Sequence, residues 1–150
     1  MKSAAEFCLD WLIEDGNGAL VTCPSVSCEN TFITEKGVKA ETSLGTAMDM
    51  AIIGQHFENW IAGASVLGID ADFVAQLKTA RARLYPIKIG KKGDIEEWFQ
   101  DWDSTDPHHR HFSHLLGLHP FSLITEQTTP ELFAACARSL DLRGDESTGW

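Results

Sequence analysis

The chain has 150 residues, of which 43% are hydrophobic and 23% charged, a composition typical of one globular domain with its own hydrophobic core. Its formal net charge of −10 argues against a nucleic-acid backbone or an anionic membrane surface as the partner, because both repel an acidic protein. We therefore expect no nucleic acid and no membrane, and a neutral or cationic ligand instead.

The first predicted helix has apolar residues at i, i+3, i+4, i+7 and i+8, the spacing of one helical face. The residues predicted to form this inward face are Ala4, Phe7, Cys8, Trp11 and Leu12. Residues 15–18 end the helix, because aspartate, asparagine and glycine tolerate positive φ. After a short extended piece at residues 19–22, residues 23–45 show no helical period, and a loop of this length in a compact domain is usually functional.

Two further helices are predicted in the middle of the chain. Thr46 would cap a helix that runs to about Leu67, and Asp49, one turn into it, would face a cleft at its open end. Asp70 would cap the next helix, which Pro86 ends. The apolar positions predicted to be buried are Met50, Ile53, Phe57, Trp60, Ile61, Ala64 and Leu67 in the first of these helices, and Phe73, Leu77, Ala80 and Leu84 in the second.

The last third of the chain combines a hairpin, a histidine-rich loop and a final helix. Residues 87–99 resemble a small β-hairpin around a glycine-marked turn. A short helix is predicted near residues 113–118. The run Thr129-Pro130-Glu131 is a favourable helix start, and Gly144 would close the last helix. The residues predicted to face inward in that helix are Leu132, Phe133, Cys136, Ala137 and Leu140. These elements together predict an all-α fold with one small β-hairpin and long loops lining a cleft.

Two segments carry the chemistry. Residues 106–120, DPHHRHFSHLLGLHP, contain five of the six histidines and one arginine, and imidazoles at this density are too costly to bury without partners. Residues 21–32, VTCPSVSCENTF, carry a single carboxylate, Glu29. A carboxylic acid in one loop and a histidine–arginine wall in another suit a reaction on a sugar.

Simpler interpretations remain open at this point. Glu29 would serve equally as a surface carboxylate in a turn, the histidines as solvated or core side chains, and Arg110 as a salt-bridge partner of Asp106. For Trp98 and Trp102, sugar stacking and packing are equally favoured. The four cysteines (Cys8, Cys23, Cys28 and Cys136) are expected to be ordinary thiols, with a disulfide between Cys23 and Cys28 left open.

A metal site is the sharper alternative for the histidine-rich segment. His109, His111 and His114 would converge on zinc together with Asp103 or Asp106. Their spacing, however, is not the i, i+4 pair of a helical zinc motif. We therefore favour hydroxyl contacts to a sugar and expect no metal.

Over nearly its whole length the chain resembles the catalytic domain of glycoside hydrolase family 95, the inverting α-L-fucosidases. The resemblance rests on the two segments above, with HRHFSHLLGLHP most specific, and on MKSAAEFCLDWLIED, MDMAIIGQHFEN, IKIGKKGDIEEWFQDW and TPELFAACARSLDLRGDESTGW. It implies a part of an (α/α)6 barrel, a fucosylated oligosaccharide or glycoconjugate as substrate, and no cofactor. We expect the chain to be one part of a larger catalytic domain.

The resemblance also implies roles for individual residues. It assigns Glu29 as the general acid, and Arg110 and His111 as the residues that grip the fucose hydroxyls. His109, His114 and Trp98 are further candidates for sugar contacts. Cys28 departs from the family, whose pattern usually has a proline before the glutamate. The asparagines and the aspartate that hold the attacking water lie outside residues 1–150 in the family.

Inverting hydrolysis needs a protonated carboxyl on one face of the sugar and a base about 6.5–9.5 Å away on the other. An apolar wall, here predicted from Phe32 and Ile33, would keep the acid protonated. With no base in this segment, we expect the chain alone to hydrolyse poorly or not at all. The alternative is a non-catalytic sugar-binding or assembly module that self-associates through exposed helix faces.

Overall fold

The structure, a computed structural model, describes residues 1–145, which form four α-helices and seven short β-strands. The helices are α1 (Lys2–Trp11), α2 (Ala47–Leu67), α3 (Ala71–Ala82) and α4 (Pro130–Arg143), with a 3₁₀ turn at Ser113–Leu115. The strands are β1 (Leu12–Glu14), β2 (Leu20–Thr22), β3 (Ser25–Val26), β4 (Phe32–Ile33), β5 (Lys39–Ala40), β6 (Thr42–Ser43) and β7 (Asp103–Ser104). Residues 146–150 lie outside the described residues, and they include Trp150, a further candidate for sugar stacking.

The strands form three small antiparallel sheets. β1 pairs with β2, β3 pairs with β6, and β4 lies between β5 and β7. In the third sheet Phe32 stands opposite Ser104, so strands from distant parts of the chain meet beside the histidine-rich segment. The predicted hairpin at residues 87–99 is reduced to a single antiparallel bridge between Ile89 and Ile95.

The predicted all-α fold, taken as part of an (α/α)6 barrel with one hairpin, is wrong for residues 1–145, which are mixed α/β. The reason is the length of the strands. Five of the seven have two residues, too few for the alternation of apolar and polar side chains that identifies a strand in a sequence. Residues 23–45, predicted to be one loop, contain four of them.

Helices α2 and α4 begin where they are predicted, since their caps are local signals, whereas α1, predicted to include Leu12 and to end at residues 15–18, ends at Trp11 and is followed by β1. Thr46 caps α2 and accepts a hydrogen bond from the backbone N–H of Asp49, while Gly68 ends the helix in the left-handed conformation at φ +66°. Thr129 and Pro130 begin α4 as predicted, and Gly144 follows its end. No helix in the described part of the chain is both long enough and apolar enough to cross a membrane.

Two clusters of buried side chains make up the core. The first joins α1, α2 and α3 and consists of Ala5, Leu12, Met50, Ile53, Phe57, Leu77 and Ala80. The second lies under the 3₁₀ turn and α4 and consists of Ala47, Ile95, Leu115, Ile124, Ala135 and Cys136. Because α2 contributes residues to both clusters, it ties the two parts of the core together.

The predicted inward faces of the helices are only partly correct. In α1 the buried residue is Ala5, and Phe7 is 63% exposed. In α4 Phe133, Ala137 and Leu140 are exposed, whereas Ser139 and Arg143 are buried. Leu67, at the end of α2, is also exposed. The face of α4 is set by polar partners in the interior, which a count of apolar residues does not detect.

Candidate active site

The segment that carries Glu29 is anchored by two buried serines. From Ser25 to Ser27 the side chains alternate, so both serines point inward and Val26 lies at the surface. The Ser25 hydroxyl donates to Asp49 Oδ2 at 2.6 Å, and the Thr46 backbone N–H donates to Ser25 Oγ at 3.0 Å. Asp49 is thus buried in a polar network at the start of α2 and does not face a cleft.

A second anchor is the buried carboxylate of Glu97, which is 7% exposed. The Ser27 hydroxyl donates to Glu97 Oε1 at 2.6 Å, and the Asn30 side-chain amide donates to the same oxygen at 3.0 Å. On the other side, the Arg143 guanidinium donates to Oε2 at 3.0 Å. We call Glu97 with these three partners the Glu97 network.

Between these anchors Glu29 projects outward. Its backbone has φ +51°, in the left-handed region that residues other than glycine rarely adopt, and its side chain is 59% exposed. Its carboxylate forms an ion pair with the Arg110 guanidinium. The Nε2 atom of His111 lies 3.2 Å from the same carboxylate oxygen. The acid and two of its predicted partners therefore meet at the surface.

His109 links the histidine-rich segment to residues 25–30, which carry Glu29 and are called the acid segment below. It is buried, and its Nε2 donates to the backbone carbonyl of Cys28 at 3.2 Å. Its ring packs edge to face against His111, with the ring centroids 5.3 Å apart. An open depression of about 400 Å³ lies beside these residues and is lined by Cys28, Met48, Arg110, His111, Phe112 and Leu116, among others.

His114 and Trp98 lie inside the protein. His114 is 4% exposed, with its Nδ1 3.8 Å from Glu97 Oε2. Trp98 is 3% exposed and packs against Phe32, whose ring also stacks on Trp102 at 4.3 Å. Phe32 therefore belongs to the interior and does not form the predicted wall beside Glu29. The sugar contacts assigned to His114 and Trp98 stay predictions.

Burial and charge shift the pKa values of the two interior groups. Burial lowers the pKa of His114 from 6.5 to about 4, and the charges of Arg143 and His109 act in the same direction. Burial would raise the pKa of Glu97. The positive charge of a protonated His114, the Ser27 hydrogen bond and the Arg143 charge outweigh this effect and hold the pKa of Glu97 below its ordinary value.

The metal and disulfide alternatives concern side chains in the same part of the structure. Within residues 1–145, no group of three or more histidine, cysteine, aspartate or glutamate side chains is arranged to hold a metal ion. All four cysteines are free thiols, and Cys23, next to the acid segment, is exposed.

The main residue that sequence reasoning missed is Glu97, with its partner Arg143. Both occur among many charged residues, and nothing in the local pattern distinguishes them from solvent-exposed side chains. The only available signal was the alternation of Ser25, Val26 and Ser27, which indicates an extended piece with polar residues on one face.

Comparison with known proteins adds an independent finding. The profile of the glycosyl hydrolase family 95 catalytic domain matches residues 1–150. The Arabidopsis thaliana protein named alpha-L-fucosidase 2 is 39% identical over 151 residues, which cover 100% of this chain and 18% of that protein. Two proteins named probable alpha-fucosidase A also match. The one from Aspergillus niger is 30% identical, over 100% of this chain and 20% of its own length.

The second of these, from Aspergillus oryzae, is 32% identical over 109 residues, which cover 69% of this chain and 14% of that protein. The chain thus spans about a fifth or less of the length of the curated relatives it matches.

Proposed function

The chain belongs to glycoside hydrolase family 95, and from this premise we propose that it supplies the acid side of an α-L-fucosidase active site. The reaction is the hydrolysis, with inversion, of terminal α-L-fucosyl linkages in an oligosaccharide or glycoconjugate. The observation that carries the proposal is the contact of Glu29 with Arg110, which lies 81 residues further along the chain, and with His111.

In the proposed mechanism Glu29 is the general acid. Its carboxyl proton passes to the glycosidic oxygen as the bond between that oxygen and the anomeric carbon breaks. A water molecule, whose proton passes to a base proposed to lie outside residues 1–150, attacks the anomeric carbon from the opposite face and inverts its configuration. Glu29 is left as a carboxylate, and the guanidinium of Arg110 pairs with that charge again once the sugar has left.

Arg110 and His111 are the proposed sugar-binding groups. Both present N–H donors at the surface beside the open depression, where hydroxyl oxygens of a fucosyl ring would accept hydrogen bonds. A bound sugar would draw these donors away from Glu29 and leave its carboxyl group to the leaving oxygen. His109 contributes indirectly, because its hydrogen bond to Cys28 holds the two segments together.

The group that activates water is proposed to come from outside residues 1–150, as the family resemblance implies. The chain would then be one part of a larger catalytic domain, and no cofactor is required. A lone acid without a positioned water loses most of the stabilisation of the transition state. We therefore expect the 150-residue chain alone to hydrolyse an α-L-fucoside far more slowly than the longest reading frame that contains it.

The test of the acid role is Glu29→Gln in that longest reading frame. With an aryl fucoside whose leaving group is a weak acid, we expect the rate to fall between about 100-fold and 10,000-fold, because the departing oxygen must be protonated. With a strongly acidic phenol as the leaving group the loss should be much smaller. The measurement is kcat for a series of aryl α-L-fucosides with different leaving groups.

The matched control is Glu35→Gln, which removes an exposed carboxylate from the β4–β5 connection. It should leave kcat unchanged for every substrate in the series. Equal losses for good and poor leaving groups in Glu29→Gln, or an unchanged rate, would exclude Glu29 as the acid.

A sugar-binding or assembly module is the second candidate, and the exposed apolar residues favour it. Phe7 of α1 and Phe133 and Leu140 of α4 are exposed on the helices predicted to self-associate. Calorimetry with L-fucose and light scattering distinguish the two functions. Sugar binding together with self-association, and no hydrolysis by any form that contains the chain, would favour the module.

A further inference from the structure

The Glu97 network joins the segment that carries Glu29 to the end of α4, and Glu97 also lies beside the histidine-rich segment. Glu97 Oε1 accepts hydrogen bonds from Ser27 and Asn30, the residues on either side of Cys28 and Glu29. Glu97 Oε2 accepts from Arg143, at the end of α4, and faces His114 of the histidine-rich segment. The backbone carbonyl of Glu97 also accepts from the N–H of Ala47, the first residue of α2.

We propose that Glu97 is a positioning residue for the reaction, and this rests on the proposed role of Glu29 as the acid. Its two carboxylate oxygens accept hydrogen bonds from different parts of the chain. Oε1 holds the segment that carries Glu29, and Oε2 holds Arg143, whose guanidinium also donates to the Asp106 carbonyl at the start of the histidine-rich segment. One buried carboxylate thereby fixes the position of Glu29 relative to Arg110 and His111.

The chemistry of the bonds explains why a carboxylate occupies this position. A buried charge must be paired and hydrogen-bonded, and bonds to a charged acceptor are stronger and shorter than neutral ones. The 2.6 Å distance from Ser27 Oγ fits such a bond. A direct link reinforces the network, since Ser27 Oγ also lies 2.8 Å from Ser113 Oγ in the histidine-rich segment.

The backbone conformation of Glu29, with φ +51°, requires support from the residues on either side of it. A non-glycine residue with positive φ persists only where the surrounding structure holds it. Ser27 and Asn30 are hydrogen-bonded to Glu97 on either side of Glu29, so the exposed side chain projects from a backbone that is held at both ends. Glu97 itself is not a catalytic residue, because it is buried and both oxygens are occupied by protein donors.

The most informative variant is Ser27→Ala in the longest reading frame that contains the chain. It removes the strongest link from Glu97 to the acid segment and leaves the Glu97–Arg143 pair intact. We expect kcat for a poor-leaving-group α-L-fucoside to fall about 100-fold, since a displacement of about 1 Å costs this much. KM should change less than kcat, because the side chains of Arg110 and His111 remain. The direct variant, Glu97→Gln, should lower kcat and also raise KM, because it weakens the Oε2 bond to Arg143 as well.

Ser139→Ala is the matched control. Ser139 is also a buried serine, and its hydroxyl accepts from the Ile95 N–H at 2.9 Å without contacting residues 27–30. Its loss should destabilise the protein and leave kcat unchanged. Ser27→Ala with wild-type kcat, or an equal loss of kcat in Ser139→Ala, would overturn the positioning role.

Hydrogen exchange separates this proposal from the proposed function. The Asn30 backbone N–H donates to the Ser27 carbonyl at 3.1 Å and reports on the order of the acid segment without any substrate. We expect its exchange to become about 10-fold faster in Ser27→Ala and to stay unchanged in Ser139→Ala. If Glu29→Gln proves harmless, the acid role fails, whereas faster exchange in Ser27→Ala still supports the anchoring. Unchanged exchange in Ser27→Ala overturns the anchoring whatever the activity.

Discussion

At the scale of single residues, Glu29 and Glu97 are carboxylates with opposite surroundings. Glu29 is exposed, and an exposed ion pair such as its contact with Arg110 contributes only about 0–1 kcal/mol. In the proposed mechanism Arg110 would therefore exchange that contact for a sugar hydroxyl at little cost. Glu97 is buried, and removing one of its partners would leave a charge unpaired in the interior. The Glu29–Arg110 contact at the surface is thus easily exchanged, whereas the contacts of Glu97 beneath it are not.

The thiols provide a prediction at the same scale. Burial raises the pKa of Cys136 to about 11, whereas Cys23 is exposed. Because the thiolate is the reactive form, we expect iodoacetamide at pH 7.5 to alkylate Cys23 first and Cys136 last in the folded protein. Mass spectrometry of peptides from a time course measures the order.

The control for the thiol prediction is the same reaction in urea, where burial is lost and all four cysteines should react at similar rates. Cys23→Ser should remove the fastest phase. Rapid alkylation of Cys136 in the folded protein would show that this helix face is not buried.

The residues that meet at the surface were predictable, and those that hold them were not. The carboxylate in one loop and the histidine–arginine segment in another stand out in the sequence, and the resemblance to family 95 singled out Glu29, Arg110 and His111 among these residues. Glu97 follows Glu96 in an acidic stretch and has no distinguishing spacing. Its burial depends on Ser27, Asn30 and Arg143, which are distant in the chain and are brought to it only by the fold.

At the scale of secondary-structure elements, the starts of α2 and α4 were predictable because their signals are local. Thr46 before α2 and Thr129-Pro130 before α4 act within one turn. The inner face of α4 was not predictable. Ser139 and Arg143 face the interior because their side chains form hydrogen bonds there, with the Ile95 N–H and the Glu97 carboxylate respectively. The short strands were not predicted for the same reason, since β4 and β7 pair across a long stretch of chain.

Replacing two glycines by alanine should change the free energy of unfolding in opposite directions. Gly45 precedes α2 with φ +38°, and a Cβ there would lie 2.9 Å from Val21 Cγ1. We expect Gly45→Ala to lower the free energy of unfolding by about 1–3 kcal/mol, because the conformation and the contact both resist a side chain. Gly63 is exposed within α2 with no heavy atom within 4 Å, so Gly63→Ala should raise it by about 0.5–1 kcal/mol.

Urea denaturation of the two variants and the parent chain measures both changes. The pair controls for any general effect of adding a methyl group, since the sign should differ between them. A Gly45→Ala variant as stable as the parent would show that the turn between β6 and α2 adapts freely.

At the scale of the whole molecule, the interior combines two apolar clusters with buried polar networks around Asp49 and Glu97. The apolar clusters account for cohesion between helices. The polar networks connect segments that share no apolar face, namely residues 25–30, the histidine-rich segment and α4. Such networks make the fold specific and also make it sensitive to protonation.

This sensitivity gives a pH prediction. The pKa of His114 is 6.5 as a free group and about 4 in the folded protein. Between these values the unfolded chain is protonated at His114 and the folded chain is not. The contribution of His114 to stability is complete above pH 6.5 and is lost as the pH falls towards 4. From pH 7 to pH 5 we expect a loss of about 2 kcal/mol from this group.

Glu97 acts in the same direction at lower pH. Its pKa in the folded protein lies below the ordinary value, so its contribution is present above that value and is lost as the pH falls through the folded pKa. Urea denaturation at pH 7, 6 and 5 therefore reports mainly on His114. His114→Gln should flatten the pH dependence over this range, and His119→Gln, which removes an exposed imidazole, should leave it steep. A free energy of unfolding that is constant from pH 7 to pH 5, or an equal slope in His114→Gln, would show that His114 does not sit neutral against Glu97.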